Sequence, residues 1–182
     1  MEILRRTFGA ETWRRVAYGA VSAPVGLAAL GLTLTGQPGR SARLQQRVVQ
    51  RLLGAPVGNR ARLSGTIAYA LLSIPLGVVG LWLALLLVPN TIRNLLYGFV
   101  VGDGYTDAWG GPTLAGAWTV HAVLALALVP VGLWLVRGLT ALQRRLAGAL
   151  LGGGRVGVPV GVTSAVVVLA GAVFLDLWVH QV

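Results

Sequence analysis

Few residues of this chain could do chemistry, and the richest run of them is GDGYTDAWGG at 102–111. Asp103 and Asp107 lie four apart there. A calcium loop of the EF-hand kind needs oxygen donors at alternate positions and a closing glutamate; neither is present, so no metal is expected. The whole chain holds five carboxylates, two histidines, no cysteine and no lysine. That inventory leaves no thiolate metal site and no disulfide framework. The glycine run LLGGGRVG at 150–157 lacks both the spacing and the lysine of a phosphate-binding loop. An enzyme is therefore not expected, and neither is a cofactor.

The acidic run belongs to a longer polar connection, residues 89–113, and long loops that are not linkers tend to be functional. Gly102, Gly104, Gly110, Gly111 and Pro112 predict tight turns. Tyr105, Trp109 and Trp118 fit an aromatic belt at a membrane surface. Two readings stand side by side: interface anchoring, or an outer surface that senses a ligand or binds a partner through Asp103, Tyr105, Asp107 and Trp109. Residues 90–101, NTIRNLLYGFVV, are helix-like and could lie on the membrane as part of it.

Two ionisable residues fall inside apolar stretches, where such groups are costly and therefore functional suspects. His121 lies about two turns into one apolar run and Asp176 near the end of another. They could meet as a carboxylate–imidazole pair, a proton switch near the external loop. The alternative places both at the hydrated headgroup boundary, which Trp178 and His180 favour for Asp176.

Those positions make sense only once the surrounding elements are drawn. Of 182 residues, 55% are hydrophobic and 11% charged, against about a quarter charged in an ordinary soluble domain. Runs of roughly 20 apolar residues suffice for a helix to cross a bilayer. Four occur, at about 16–35, 65–88, 114–136 and 158–178. The first is too long for the core of a cleaved signal peptide and ends in LTLTGQPGR, without a small-x-small site, so it reads as a retained segment. The net charge of +10 comes from arginines gathered beside these runs: Arg5, Arg6, Arg14 and Arg15 before the first, six from Arg40 to Arg62, and Arg137, Arg144, Arg145 and Arg155 between the third and fourth. Arginine so placed sets topology and attracts anionic headgroups; a nucleic-acid partner is not expected.

The chain also repeats itself. AYGAVSAPVG at 17–26 returns as AYALLSIPLG at 68–77, and LQQRVVQRLLG at 44–54 returns as LQRRLAGALLG at 142–152. In the first arginine segment Arg40, Arg43, Arg47 and Arg51 recur at helical spacing, with Leu44, Val48, Val49, Leu52 and Leu53 opposite. This predicts amphipathic interfacial helices at about 40–53, capped by Gly54, and at about 138–151, stopped by Gly152–Gly154. Arg40, Arg43, Arg47, Arg51, Arg137, Arg144 and Arg145 are the expected anionic-lipid contacts. Pro24, Gly26, Pro75, Gly77 and Pro130 are expected to kink and pack the spans; a substrate path through broken helices is the sharper alternative. The expected fold is an all-α integral membrane bundle of about four transmembrane helices and two amphipathic interfacial helices, forming one membrane domain.

Orientation is the difficulty. The arginine-rich segments 36–64 and 137–156 belong in the cytoplasm by the positive-inside rule, leaving 89–113 outside. A full crossing by residues 16–35 is expected, yet it carries the N-terminal arginines outward, against the rule. The other course is that this segment enters without crossing fully, bent at Pro24.

The patterns TWRRVAY…S.P.G and ARLQQRVVQRLLG, the second AYALLSIPLG, and above all the run from Tyr105 to Gly152 resemble the membrane-spanning sensor domain at the N-terminus of bacterial histidine kinases of two-component systems. The resemblance covers about residues 12–152. It implies a helical domain of the bacterial plasma membrane that detects an envelope signal, with a separate histidine kinase, another membrane protein or a second copy as partner. Two departures matter: the first repeat lacks its return span, and after Gly152 the chain offers GGGRVGVPVG and one more apolar run in place of a kinase. A small accessory or permease-type transporter subunit is the alternative.

Overall fold

The computed structural model describes residues 9–58 and 61–180, so Arg5, Arg6 and Arg60 lie outside the described residues, and the side chain of Trp178 is not described. Among the described residues the chain is helical, without a strand. Four helices are long and apolar enough to cross a membrane.

Helix α1, Ala10–Leu34, starts earlier than its apolar run. Glu11 sits in the first turn, where a carboxylate meets the positive end of the helix dipole, and is ion-paired with Arg15 one turn on. The helix stops at Gly36, whose φ of +76° suits glycine. There Gln37 N–H bonds the Leu32 carbonyl at 2.8 Å and Gly36 N–H that of Thr33 at 3.1 Å, a Schellman closure. Helix α2, Pro38–Leu53, opens on the proline and closes on Gly54 in the left-handed region. It keeps Arg40, Arg43, Arg47 and Arg51 exposed and buries Ser41, Gln45, Gln46, Val49 and Leu53.

Helix α3, Leu63–Leu85, does not end where its apolar run does. It passes through one π-helical turn, Leu86–Asn90, which contains Pro89. A widened turn tolerates the hydrogen bond that proline removes. The chain then continues as α4, Thr91–Leu95, and α5, Tyr97–Val100. The segment 89–113 is thus helical in its first half and turns only from 101 to 113.

Helix α6, Leu114–Leu150, is a single element of 37 residues, about 55 Å long. Thr113 caps it, its hydroxyl accepting from Gly116 N–H at 3.1 Å. The third span and the arginine segment at 138–151, expected as two elements, are one rod. Gly138 is the only weak point between them, and a lone glycine costs only about 1 kcal/mol in a helix. Helix α7, Val158–Val179, follows the glycine break, with exposed apolar residues such as Val162, Val166, Leu169 and Val173.

Contacts fix the stagger of these rods. Helix α1 runs antiparallel to α3, since Gly19 meets Gly80 and Gly26 meets Ser73. It runs alongside α6 in the same direction, because Arg137 donates to Thr12 at 3.4 Å and Gln143 to Ser22 at 3.4 Å. Helix α1 therefore begins level with Arg137 and lies beside the arginine-bearing end of α6, not beside residues 114–132. In a hydrocarbon core about 30 Å thick, those two segments are not centred at one depth. The larger buried cluster, with Tyr18, Val49, Leu53, Tyr69, Leu76, Leu142 and Leu146, also forms at this end.

Candidate functional site

The doubled phrase packs against itself. A Cβ on Gly26 would come within 2.6 Å of Ser73 Oγ, and one on Gly77 within 2.7 Å of Ser22 Oγ and closer still to the Ala23 backbone. Each copy's glycine thus receives the other copy's serine, and Gly19 and Gly80 let the backbones touch. Both serines turn their hydroxyls onto their own helix, Ser22 to Gly19 O at 3.3 Å and Ser73 to Ala70 O at 2.9 Å. Tyr18 and Tyr69, the first polar residues of the two copies, are joined hydroxyl to hydroxyl at 2.6 Å in the core. Pro24 and Pro75 lie inside unbroken helices, as does Pro130. Sequence reasoning missed this mutual contact, though its signal was present: identical polar residues at identical spacing in two apolar segments.

Around the seam the core is unusually polar. Gln45 Nε2 donates to Ser41 Oγ at 3.2 Å and to Thr66 O at 3.4 Å. Gln46 ties α2 to Gly58 O at 3.0 Å and to Leu151 O at 3.4 Å. Gln143 reaches Ser22. The Oε1 atoms of Gln45 and Gln143 are buried with no hydrogen-bond partner among the described residues. Buried amide oxygens in that condition are rare and specific to their sites.

At the opposite end of α6 the connection 91–113 forms a cap. Trp118 Nε1 donates to the Leu95 carbonyl at 2.8 Å. Phe99 meets the Trp118 ring edge-on, centroids 5.0 Å apart, and Gly98 lies so close to that indole that a Cβ would collide with it. Tyr97 stacks on His121, centroids 3.8 Å apart and planes 9° from parallel. Of the expected sensing residues, Asp103, Asp107 and Trp109 are exposed and Tyr105 is half-buried. They sit on turns held by Ala108 N–H to Tyr105 O at 3.1 Å and Gly111 N–H to Ala108 O at 2.8 Å. No cluster of three metal-ligating side chains exists among the described residues.

The structure does not bring His121 and Asp176 together. His121 Nδ1 lies 2.8 Å from the Ala117 carbonyl, with Tyr97 over its ring. Asp176 lies 3.6 Å from His180 one turn on, both well exposed. The expected pair gives way to two local arrangements because α5 supplies an aromatic face for His121, while Asp176 stands at the free end of α7.

Arg15, Arg137, Arg144 and Arg145 gather in one band. Arg15 and Arg144 line a common cavity of about 50 Å³ with Leu53, Thr140 and Ala141. On the other side of Ala141, Arg145 lines a groove of about 260 Å³ between α6 and α7. With Arg137 on Thr12, Arg15 before the first apolar run stands level with Arg137 and Arg144 after the third.

These features define an all-helical chain with four candidate membrane spans and three polar zones: a cap, a seam and an arginine band. No family model, curated protein or solved structure matches the chain.

Proposed function

We propose that this is a non-catalytic, sensor-like protein of the bacterial plasma membrane, which receives an envelope signal at the cap and presents it to a separate histidine kinase or another membrane partner at the arginine band. The observation that carries this reading is the continuity of α6 from Thr113 to Leu150. One rigid rod ties the aromatic cap to the arginines, so a displacement at one end has a mechanical route to the other. The exposure of Asp103, Asp107 and Trp109 leaves those side chains accessible to a ligand at the cap.

The arginine band also favours the non-crossing course for residues 16–35. Arg15 shares a cavity with Arg144, so a positive-inside orientation places both on the cytoplasmic side. Helix α1 then starts at the cytoplasmic boundary and runs along α3 away from the cap, as α6 does beyond Arg137, so it does not reach the outer face. A tag at the N-terminus is expected to be protected from external protease in intact spheroplasts and cleaved after lysis; cleavage in intact cells would restore the full crossing.

The functional test is co-purification of the tagged chain from mild detergent, followed by autophosphorylation of any kinase retained. Trp109→Ala or Asp103→Asn/Asp107→Asn is expected to change that activity at least severalfold with the complex still assembled. Kinase activity indifferent to the cap, or no retained kinase, refutes the signalling reading. The polar seam favours a second reading, an accessory subunit of a transporter, and retention of a transport ATPase in the same experiment would establish it.

A further inference from the structure

The arginine band holds a site that the signalling reading does not use. Between α6 and α7 a groove of about 260 Å³ is lined by Gly138, Ala141, Leu142, Arg145, Pro159, Val160 and Thr163. Gly138 and Ala141 keep its α6 wall low. Its neighbour across Ala141 is the cavity that holds Arg15 and Arg144. Arg15 is paired with Glu11, whose carboxylate also feels the charge of Arg144, whereas Arg145 has no carboxylate partner among the described residues. Arg145 in the groove and Arg144 in the neighbouring cavity therefore stand on either side of one exposed alanine, and the remaining groove walls are apolar apart from Thr163. Beyond Gly138 the α6 face continues at helical spacing as Leu135 and Val131, exposed apolar residues that line a second cavity of about 150 Å³ with Leu83, Leu86 and Leu87.

An ion alone would leave that apolar track uncovered, and an acyl chain alone would leave two cations facing it. We propose that the groove is a site for an anionic glycerophospholipid, with its phosphate over Ala141 between Arg144 and Arg145 and an acyl chain along Leu135 and Val131 into the neighbouring apolar cavity. Basic pockets between helices on the cytoplasmic side are suited to such headgroups, and guanidinium forks match phosphate oxygens geometrically. The site rests on the membrane placement argued above. It differs from diffuse attraction by the arginines of α2, because it has walls and a fixed depth.

The test uses the full chain reconstituted in phosphatidylcholine vesicles with or without about 30% phosphatidylglycerol, then released into mild detergent for native mass spectrometry of retained lipid. Flotation of the loaded vesicles reports insertion in every arm, so failed lipid retention is distinguishable from failed membrane placement. Retention of one phosphatidylglycerol, and no phosphatidylcholine, is expected. Arg144→Gln/Arg145→Gln should weaken it roughly thirtyfold, and Ala141→Leu, which fills the groove without changing charge, should weaken it comparably. Arg40→Gln/Arg43→Gln on α2 should leave it unchanged. The proposal is overturned if the two double variants behave alike with Ala141→Leu silent, which means diffuse attraction. It is equally overturned if inorganic phosphate competes as well as the lipid, which means an anion site without a lipid.

Discussion

The two ends of α6 are built on opposite plans. At the arginine end, α6 is joined by α1, α2 and the start of α3, and the packing is backbone against backbone, with Gly19 on Gly80 and Gly65 on the Leu150 carbonyl. At the cap end it is joined only by short turns of helix, and the contacts are aromatic rings and one indole hydrogen bond. Close packing of small residues leaves no slack, because a backbone cannot rotate away from an added methyl. Ring contacts at a half-buried surface can slide and re-form. The difference teaches where this molecule is rigid and where it can respond.

Substitutions that attack the two ends differently measure that contrast. The largest effect is expected from Gly77→Ala, whose methyl would strike the Ala23 backbone; roughly 3 kcal/mol of stability should be lost in SDS-titrated unfolding in mixed micelles. A loss below about 1 kcal/mol would mean the seam is loose. Next comes Tyr18→Phe, which strands the buried Tyr69 hydroxyl and should cost about 1–2 kcal/mol. Adding Tyr69→Phe should recover most of it, since no unpaired hydroxyl remains; an additive double variant would remove the bond from the account.

At the cap, Trp118→Phe keeps an aromatic ring, smaller than the indole, but gives up the bond to Leu95. It should cost about 1 kcal/mol and raise amide exchange in 91–100 before it affects α1–α3. The smallest effect belongs to Gly138→Ala, where a Cβ meets nothing within 4 Å. Better helix propensity should stabilise α6 by roughly 0.5–1 kcal/mol. If it destabilises instead, the rod bends there in solution and the contrast between its ends loses its mechanical link.

Much of the architecture was legible in the chain. Apolar runs of spanning length, the α2 arginine face and the Gly54 cap follow from periodicity and turn chemistry, which are local. The misreadings share a different origin. The break between 136 and 138 was inferred from a change of polarity, but a helix ends where its backbone is stopped, and only Gly152–Gly154 stop it. The His121–Asp176 pair was inferred from two depths along two helices, and depth says nothing about which faces turn toward each other. Residues 90–101 were legible as helix-like, but the stacking of half-buried Tyr97 on His121 had no pattern to announce it.

The sequence by itself determined that this chain is helical, apolar enough for a membrane, lined with arginine on particular segments and poor in groups that catalyse, because composition and spacing act within a few turns of helix. Only the tertiary structure decided that the repeated phrase binds its own copy, that α1 stands level with Arg137, and that Arg15, Arg144 and Arg145 surround one alanine. Those outcomes depend on the stagger between rods, which the interlocking of glycines and serines sets across more than fifty residues of chain.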